Sequence, residues 1–258
     1  MHPNLIYDIG AHVGEDTAYY LAKGFDVVAA EANPVLYKGL TERFAKEITA
    51  GRLTVLGVGV CDRSGTGTFY SNDKKEGWSS LLKETKATTR FTHVELEVEL
   101  MPLSHILAAH GTPYYLKIDI EGAEFAAIST LDPAKPLPVF LSFEIYIDWQ
   151  GIIDRLTMLG FDRFQLVRQG EEFLKPPPTP SREGAFVDIA FSGHHTGNFG
   201  RDLPQTWLTL TGLEAAMADL AEFKANYPRD LTKVWHDIHA CRSDALAALQ
   251  SDAPRSHG

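Results

Sequence analysis

Short apolar runs alternate with stretches of helical periodicity through most of the chain. Leu5–Ile9 is an apolar run that ends at Gly10, and Asp26–Ala30 is the next one. Between Val35 and Thr49 the apolar side chains are spaced four apart, which places them on one face of a helix. Similar patterns predict strands at Leu53–Val60, Thr66–Tyr70, His93–Leu100, Tyr114–Ile120, Val139–Ile145, Phe164–Val167 and Ala185–Phe191, and helices at Glu15–Lys23, Ser104–His110, Glu124–Leu131 and Gly151–Leu159.

The order of these elements predicts the fold class. Strands that alternate with helices favour an α/β fold with a Rossmann-like, doubly wound parallel sheet and helices on both faces. Ala185–Phe191 is predicted as a late antiparallel strand of this sheet, and from about Gly193 the pattern becomes helical. We therefore predict one α/β domain over residues 1–192. Residues 193–258 are predicted as a C-terminal helical extension or lid packed on the same domain.

Charge and cysteine content limit which binding partners and which cellular compartment we expect for this protein. The formal net charge is −10, and an acidic chain repels phosphate backbones, so we expect no nucleic-acid partner. Cys61 and Cys241 do not form a disulfide framework or a zinc-site spacing. The N-terminus lacks the pattern of a signal peptide, and no apolar run is long enough to span a bilayer. We therefore expect a cytoplasmic protein without a membrane partner.

A glycine turn follows the first predicted strand. Asp8 comes near the end of the strand, and Gly10 and Gly14 follow in a Gly-x-x-x-Gly spacing. Gly10 permits a tight turn, and Gly14 is expected to let the chain approach a ligand closely. This spacing differs from the Gly-x-Gly-x-x-Gly of dinucleotide sites. Asp8 would repel a pyrophosphate, but it could face an ammonium or sulfonium group.

A second acid, Glu31, follows the second predicted strand. It comes about 20 residues after the glycine turn, the separation at which a carboxylate meets a ribose diol in doubly wound folds. A carboxylate can accept hydrogen bonds from both ribose hydroxyls. A glycine pair alone would favour an ordinary turn, with Glu31 as a solvated strand end. The combination of Asp8, the glycines and Glu31 in one strand–helix–strand unit favours a cofactor site.

Four stretches of the chain share the order and spacing of one known family. They are Asp8–Glu15 with Glu31–Pro34, Gly59–Asp62 with Gly65 and Gly67, Leu116–Glu124, and Ser142–Glu144. In these stretches the chain resembles the FkbM family of methyltransferases. The resemblance implies a class I methyltransferase fold and bound S-adenosylmethionine. It also implies methyl transfer, most often to an oxygen of a sugar or a small natural product.

The resemblance implies roles for particular residues. Asp8, Gly10 and Gly14 would cradle the methionine part of the cofactor, and Glu31 would hold the ribose. The chain departs from the family at Ala32, where proline is usual, and this bears on loop shape rather than on ribose binding. Residues 60–62 would lie near the adenine. The cofactor-binding residues that we predict are Asp8, Gly10, Ala11, Gly14, Glu31, Ala32, Asn33, Val60, Cys61, Asp62, Ser80 and Asp119.

Several carboxylates follow two later predicted strands. Asp119 and Glu121 lie at the end of one, and Glu144 lies at the end of the next. We predict all three as catalytic, because one could take the proton from an acceptor hydroxyl. Two of them could instead hold a divalent cation, but the sequence does not require one and we assign no metal ligand. They could also cap the following helix, which is the preferred role for Glu124.

His236 is the fourth predicted catalytic residue. It lies three positions before His239 on a predicted helix, so the two imidazoles could share a face, and one near the acceptor would suit proton removal. An ordinary polar helix explains this spacing equally well. Trp207 and Trp235 could stack on a sugar ring, although core packing is the better explanation for an isolated Trp. The segment from Gly197 to His239 is predicted to cover the acceptor site.

The resemblance, together with the cofactor-site pattern of Asp8, the glycines and Glu31, implies an S-adenosylmethionine-dependent methyltransferase that acts on a hydroxyl of a sugar, glycan or small natural product. The acceptor is accordingly expected to be a small molecule or a carbohydrate. One rival is an NAD-dependent oxidoreductase, which the glycine spacing and Asp8 disfavour. The other is a non-catalytic cofactor-binding protein, which only measured methylation would distinguish. The sequence indicates neither the identity of the acceptor nor the oligomeric state.

Overall fold

The computed structural model describes residues 1–72, 79–83, 92–145, 149–170, 175–226 and 235–251. The strands in these ranges are β1 (His2–Ile9), β2 (Asp26–Ala30), β3 (Leu53–Leu56), β4 (Gly59–Cys61), β5 (Gly65–Asn72), β6 (His93–Pro102), β7 (Pro113–Ile118), β8 (Phe140–Glu144), β9 (Arg163–Arg168) and β10 (His236–Cys241). The helices are α1 (Glu15–Ala22), α2 (Pro34–Arg43), α3 (Ala45–Thr49), α4 (Leu103–His110), α5 (Glu124–Ser129), α6 (Trp149–Met158), α7 (Leu210–Asn226) and α8 (Ser243–Ser251), with a 3-10 turn at Gly200–Asp202.

The main sheet has seven strands in the order β3-β2-β1-β7-β8-β10-β9. Neighbouring strands are parallel except β10, which runs antiparallel to both β8 and β9. From the adjacent pair β1 and β7, the chain order runs outward to β2 and β3 on one side and to β8 on the other, where β10 is inserted before β9. Ligands in such sheets bind at the carboxyl ends of the strands, beside the point where the order reverses. The predicted α/β class, with a mostly parallel doubly wound sheet, is therefore confirmed.

The antiparallel strand lies where the sequence predicted a helix. All residues of β10 are buried, and the strand pairs on both sides. Its side chains alternate between the two faces of the sheet. Ile238 and Ala240 join the core on one face, while His239 stacks on Tyr115 on the other. The helical prediction for this segment is wrong, because two polar residues three apart fit a short strand as well as a helix, and local spacing carries no information about partner strands.

Ala185–Phe191 was predicted as the antiparallel strand but forms no strand in the described structure. Val187, Ile189 and Phe191 pack on the core cluster that contains Tyr19 of α1. The alternation of apolar side chains in this segment reflects packing of one side on that core, and not pairing within a sheet. This prediction is also wrong, and the late antiparallel strand of the fold is β10.

A second, three-stranded sheet has the order β4-β6-β5. The sequence predicted one strand over Leu53–Val60, but the chain changes sheet within that run. The carbonyl of Leu56 accepts a hydrogen bond from the N–H of Glu31, which is its last backbone bond to the β2 side. Gly59–Cys61 then pairs with β6. A continuous apolar pattern indicates burial on both sides, and it does not show to which sheet each half belongs.

Helices cover both faces of the main sheet. One core cluster contains residues of α4, α5, α6 and α7, and the other contains residues of α1 and α2. Phe199 and Trp207 of the later chain join this second cluster, and Trp207 lies against Phe140 with 5.7 Å between ring centroids. Packing is therefore the role that the structure shows for Trp207. Within the described ranges, no helix combines the length and the apolar character needed to cross a membrane.

Candidate functional site at the carboxyl edge of the sheet

Two glycines with positive φ angles shape the loop between β1 and α1. Gly10 has φ 86°, and a Cβ atom on it would collide with the backbone oxygen of Asp119. Gly14 has φ 85°, and its Cβ would lie 2.6 Å from the ring of Phe44 and 2.7 Å from Leu40. The space beside Gly14 is therefore filled by protein side chains rather than left for a ligand. Both glycines allow the loop to pack closely on its own protein, and their contact with a cofactor stays a prediction.

Asp8 is fully buried at the end of β1. Its carboxylate accepts a hydrogen bond from Thr17 at 2.6 Å and one from the Lys117 ammonium at 3.1 Å. Burial raises the pKa of Asp8, and Lys117 opposes that shift. The cation that Asp8 faces is thus a lysine of the protein, and the carboxylate is not open to a ligand in this structure. Its part in the site is to hold the loop.

Glu31 lies just after β2, and its carboxylate joins two loops. One oxygen accepts the N–H of His12 at 2.8 Å, and the other accepts the N–H of Asn33 at 2.8 Å. Burial raises the pKa of Glu31 to about 7, while these two hydrogen bonds oppose the shift. A carboxylate offers about four lone-pair positions, so one position on each oxygen is left for a ligand hydroxyl.

The residues around Glu31 shape the start of α2. Asn33 caps this helix by accepting a backbone N–H at 2.9 Å, and its amide donates to Ser71 at 3.2 Å. Ala32 packs in the small core of the second sheet, and Ala11 is buried in the β1–α1 loop. All three lie close in sequence to the groups that position Glu31. Their predicted contacts with a cofactor stay predictions.

The residues predicted near the adenine lie at the end of β4. Val60 and Cys61 are buried, and Val60 belongs to the same core cluster as Val28 of β2. The Cys61 thiol donates to the carbonyl of Arg63 at 3.3 Å. The Asp62 side chain is 53% exposed and pairs with the Arg63 guanidinium at 3.2 Å. Of these three residues, only Asp62 therefore has an exposed polar side chain, and the adenine-side assignment stays a prediction.

Ser80 fixes the turn that follows β7. Its hydroxyl donates to the carbonyl of Glu121 at 2.8 Å and accepts the N–H of Leu82 at 3.0 Å. Glu121 has φ 54°, a left-handed conformation that residues other than glycine rarely adopt. The Ser80 hydroxyl therefore holds this backbone, and its contact with a cofactor stays a prediction.

Asp119, Glu121 and Glu144 come together at the ends of β7 and β8, and we call them the acid group. One carboxylate oxygen from each lies within 4.8 Å of the others. Glu124 does not belong to this group, because its carboxylate accepts two backbone N–H groups of the preceding turn, each at 3.1 Å. These N–H groups belong to the turn before α5 and not to the helix, so Glu124 orients that turn, and its predicted capping of α5 stays a prediction.

Burial and mutual repulsion determine the charge of the acid group. Burial raises the pKa of Glu121 to about 9, and the charge of Asp119 adds to the shift. Burial likewise raises the pKa of Glu144 to about 10, again with Asp119 as the next cause. Both glutamates are therefore protonated near neutral pH and can donate hydrogen bonds. The three oxygens have a spacing that a divalent cation could bridge, but this spacing alone assigns no metal.

Lys117 is a central site residue that the sequence analysis missed. Its ammonium lies 3.1 Å from Asp8, 3.0 Å from Asp16 and 3.6 Å from Asp119. Burial alone would lower the pKa of Lys117, but these carboxylates outweigh it and hold the pKa well above its usual value. The available signal was a lone lysine inside an otherwise apolar parallel strand, because a buried charge requires partners.

His236 lies on the other face of the sheet from the acid group. Adjacent residues of a strand point to opposite faces, so His236 shares a face with Ile238, while Asp237 lies opposite Glu144 in the register. Burial raises the pKa of Asp237 well above its usual value, and the charge of Asp119 adds to it. The expectation that His236 and His239 share one helix face is wrong. Asp237, which the sequence analysis missed, occupies the position beside the acid group.

Residues 192–199, which we call the crossing segment, connect α1 to the far side of the sheet. The N–H of Thr196 donates to both carboxylate oxygens of Asp16, at 3.0 and 3.1 Å. The carbonyl of Thr196 accepts from Gln169 at 3.1 Å, and the same amide donates to Asp237 at 2.7 Å. The crossing segment thus joins the cofactor-loop side of the site to the acidic side.

One family of known proteins matches the part of the chain that runs from the end of β1 to the start of β9. The model of the FkbM methyltransferase domain matches residues 8–164, which is more than half of the chain. A methyltransferase FkbM structure from Methylobacillus flagellatus KT is similar with a TM-score of 0.41 and 18% identity, over 65% of this chain. The chain spans 40% of the length of that structure. No curated protein matches the chain by sequence.

Two further solved structures are similar at low identity. Precorrin-6y C5,15-methyltransferase from Geobacter metallireducens GS-15 has a TM-score of 0.37 and 10% identity, with 94% of this chain and 81% of that chain covered. A TehB-like SAM-dependent methyltransferase from Corynebacterium glutamicum has a TM-score of 0.36 and 10% identity, with 74% and 77% covered. The family model covers the β1–α1 loop, Glu31 and the acid group. The chain therefore belongs to the FkbM methyltransferase family.

Proposed function

We propose that the protein is an S-adenosylmethionine-dependent methyltransferase that methylates a hydroxyl group. The observation that carries the proposal is the arrangement of Glu31, whose two oxygens each accept one backbone N–H at 2.8 Å. The carboxylate is thereby held in one orientation, with one lone-pair position left on each oxygen for a ribose diol. It lies after β2, beside the β1–α1 loop, where doubly wound folds hold the ribose of an adenosine cofactor.

The acid group supports transfer to an oxygen. The cofactor, when bound, supplies a methyl group already activated by a sulfonium. The acceptor oxygen forms a bond to the methyl carbon as the carbon–sulfur bond breaks, and the hydroxyl proton passes to a carboxylate of the protein. We assign that carboxylate to Asp119, because among the described residues Lys117 is the cation that contacts the acid group, and it contacts Asp119 at 3.6 Å. The main work of the protein is then to orient the acceptor.

The same charges favour one class of acceptor. Protonated Glu121 and Glu144 can donate hydrogen bonds to the oxygens of a polyhydroxylated molecule. A phosphate placed next to the methyl group would instead meet the acidic edge formed by Asp119 and Asp237. The proposed acceptor is therefore a neutral hydroxyl of a sugar, glycan or small natural product. The proposal includes no nucleic-acid or membrane partner, and it places the activity of the protein in the cytoplasm.

Ligand titration tests the cofactor assignment. We expect S-adenosylhomocysteine to bind in the micromolar range by calorimetry, and NAD to give no heat. Glu31→Ala should weaken S-adenosylhomocysteine binding by about 1.5–3 kcal/mol, because it removes charged hydrogen bonds to the ribose. Glu42→Ala, which removes an exposed acid of α2, is the matched control and should bind like wild type. Binding of NAD without binding of S-adenosylhomocysteine would support the oxidoreductase rival and contradict the proposal.

Asp119→Asn tests the proton acceptor. We expect turnover to fall about 100-fold or more, because general bases contribute at that scale, while affinity for S-adenosylhomocysteine changes by less than about threefold. The acceptor for this assay is found by screening sugars and hydroxylated natural products for transfer of a labelled methyl group. Wild-type turnover in the variant would remove Asp119 from this role. Loss of turnover on chelation, with recovery on adding Mg²⁺, would assign a cation to the acid group instead.

A further inference from the structure

One buried ammonium contacts carboxylates from three separate elements. Lys117 of β7 lies 3.1 Å from Asp8 at the end of β1, 3.0 Å from Asp16 in the first turn of α1, and 3.6 Å from Asp119 just beyond β7. The Lys117 side chain is 6% exposed, and those of Asp8 and Asp16 are 0% and 3% exposed. The contact between strand and loop therefore includes an ion cluster that water hardly reaches.

The three carboxylates differ in their exposure and in the groups that surround them. Asp8 near the end of β1 and Asp16 in the first turn of α1 flank the β1–α1 loop, and both are enclosed by protein. Asp119 is 41% exposed and is part of the acid group. Backbone contacts follow the same path, since the N–H of Asp119 donates to the carbonyl of Ile9 at 2.8 Å. Lys117 thus lies between the loop that meets the cofactor and the acid that meets the acceptor.

Stability alone is a weak explanation for this cluster. An ion pair buried in a strand costs much of its attraction in lost hydration, and an apolar residue of similar volume often serves the fold as well. The chain offers a direct comparison at the other end of α1. Lys23 pairs there with Asp202 at 3.0 Å, with both side chains 0% exposed. That pair joins the C-terminal end of α1 to Asp202 of the 3-10 turn, and within the described ranges it contacts none of the proposed cofactor or acceptor groups.

We propose that Lys117 is a positioning residue that holds the cofactor loop and Asp119 in fixed relation, so that the methyl group is presented to the acceptor-side acid. The inference rests on the proposed function, because it needs the β1–α1 loop to bind the cofactor. Lys117 acts through Asp8 and Asp16 on the loop, and through its contact with Asp119 on the acid group. It does not itself touch either substrate.

The test compares two buried lysines. Lys117→Met should weaken S-adenosylhomocysteine binding about tenfold or more, measured by calorimetry at a temperature where circular dichroism shows the variant folded. Lys23→Met, the matched control, should lower thermal stability but leave the affinity within about twofold of wild type. Lys117→Arg keeps the positive charge and should recover most of the lost affinity. A purely structural role would make affinity follow stability in both methionine variants.

A second variant covers the case in which Lys117→Met does not fold. Lys117→Met leaves two buried acids, Asp8 and Asp16, without a cation, and adding Asp16→Asn removes the charge of one of them. We expect this double variant to fold and to bind S-adenosylhomocysteine weakly. Wild-type affinity in folded Lys117→Met, alone or combined with Asp16→Asn, would overturn the inference. So would a loss in Lys117→Arg as large as that in Lys117→Met. If wild type itself does not bind S-adenosylhomocysteine, the proposed function fails and the inference fails with it.

Discussion

At the scale of single residues, the acids at the carboxyl edge of the sheet differ in the groups that contact their carboxylates. Asp16 faces the Lys117 ammonium at 3.0 Å, and Glu31 faces two backbone N–H groups. Glu121 and Glu144 face mainly other carboxyl groups, which add to the effect of burial on their pKa values. Carboxyl groups buried beside other carboxyl groups, as Glu121 and Glu144 are, lower the free energy of unfolding of the free protein. Such destabilising arrangements are concentrated at functional sites.

Glu144→Gln should therefore stabilise the free protein, and the gain should depend on pH. The pKa of Glu144 is about 10 in the folded protein, against an ordinary value of 4.5. Between these values the unfolded chain loses the proton while the folded chain retains it, so rising pH favours unfolding. The amide removes this effect. Thermal melts should show a higher midpoint for Glu144→Gln at pH 8, and the difference from wild type should disappear as pH falls towards 4.5.

The exposed Glu97 of β6 provides the control for this measurement. Glu97→Gln should leave the melting midpoint within experimental error at both pH values, because that carboxylate is solvated in the folded chain. A Glu144→Gln midpoint that is lower than wild type at pH 8, or equally raised at pH 5, would show that Glu144 titrates as an ordinary acid. The proposed hydrogen-bond donation by Glu144 would then be withdrawn.

At the scale of elements, the β1–α1 loop depends on the close contact between Gly10 and the backbone that follows β7. Gly10→Ala places a Cβ against the backbone oxygen of Asp119, which cannot move without disturbing β7. Gly24→Ala is a matched control, since Gly24 also has positive φ, 95°, but nothing lies within 4 Å of its Cβ position. We expect Gly24→Ala to cost about 1–2 kcal/mol of backbone strain with unchanged S-adenosylhomocysteine binding. Gly10→Ala should lower the free energy of unfolding by clearly more than this, measured by denaturant unfolding, and should weaken S-adenosylhomocysteine binding at least tenfold, measured by calorimetry. Equal effects in the two variants would contradict the close contact between Gly10 and the Asp119 backbone.

The elements that the sequence predicted well are those whose pattern is local. β1, α1, β2 and β7 appear within a few residues of their expected positions, because their apolar periodicity and glycine ends are contained in the segment itself. β10 and the segment Ala185–Phe191 were exchanged, because strand identity there depends on which distant strands lack a neighbour. The helix predicted over Val35–Thr49 divides into α2 and α3 at Phe44, whose φ is −107°.

The candidate site was predictable to a similar extent. The meeting of Asp119, Glu121 and Glu144 followed from the rule that parallel strands end at one edge. Lys117 and Asp237 were not found, since their importance depends on side-chain neighbours contributed by other elements. His236 was placed incorrectly because the choice between Asp237 and its neighbour depends on strand alternation, which a helical interpretation does not contain.

At the scale of the whole molecule, the site is assembled from distant parts of the chain. The crossing segment ties Asp16 of α1 to Gln169 and Asp237 through hydrogen bonds to the Thr196 backbone. β10 inserts Asp237 beside Glu144, more than 90 positions later in the chain. The later chain is therefore part of the framework of the site, in addition to any part it takes in covering the acceptor.

The position of β10 has a consequence for how the protein is made. A ribosome synthesises β8 and β9 long before His236–Cys241, yet β10 separates them in the finished sheet. Until that stretch emerges from the exit tunnel, the nascent chain holds two strands with unpaired inner edges and lacks the carboxylate of Asp237. Such edges favour pairing with other chains. Newly made polypeptides should therefore depend on chaperones to shield these edges until synthesis has passed residue 241, and catalytic competence should arise only after that point.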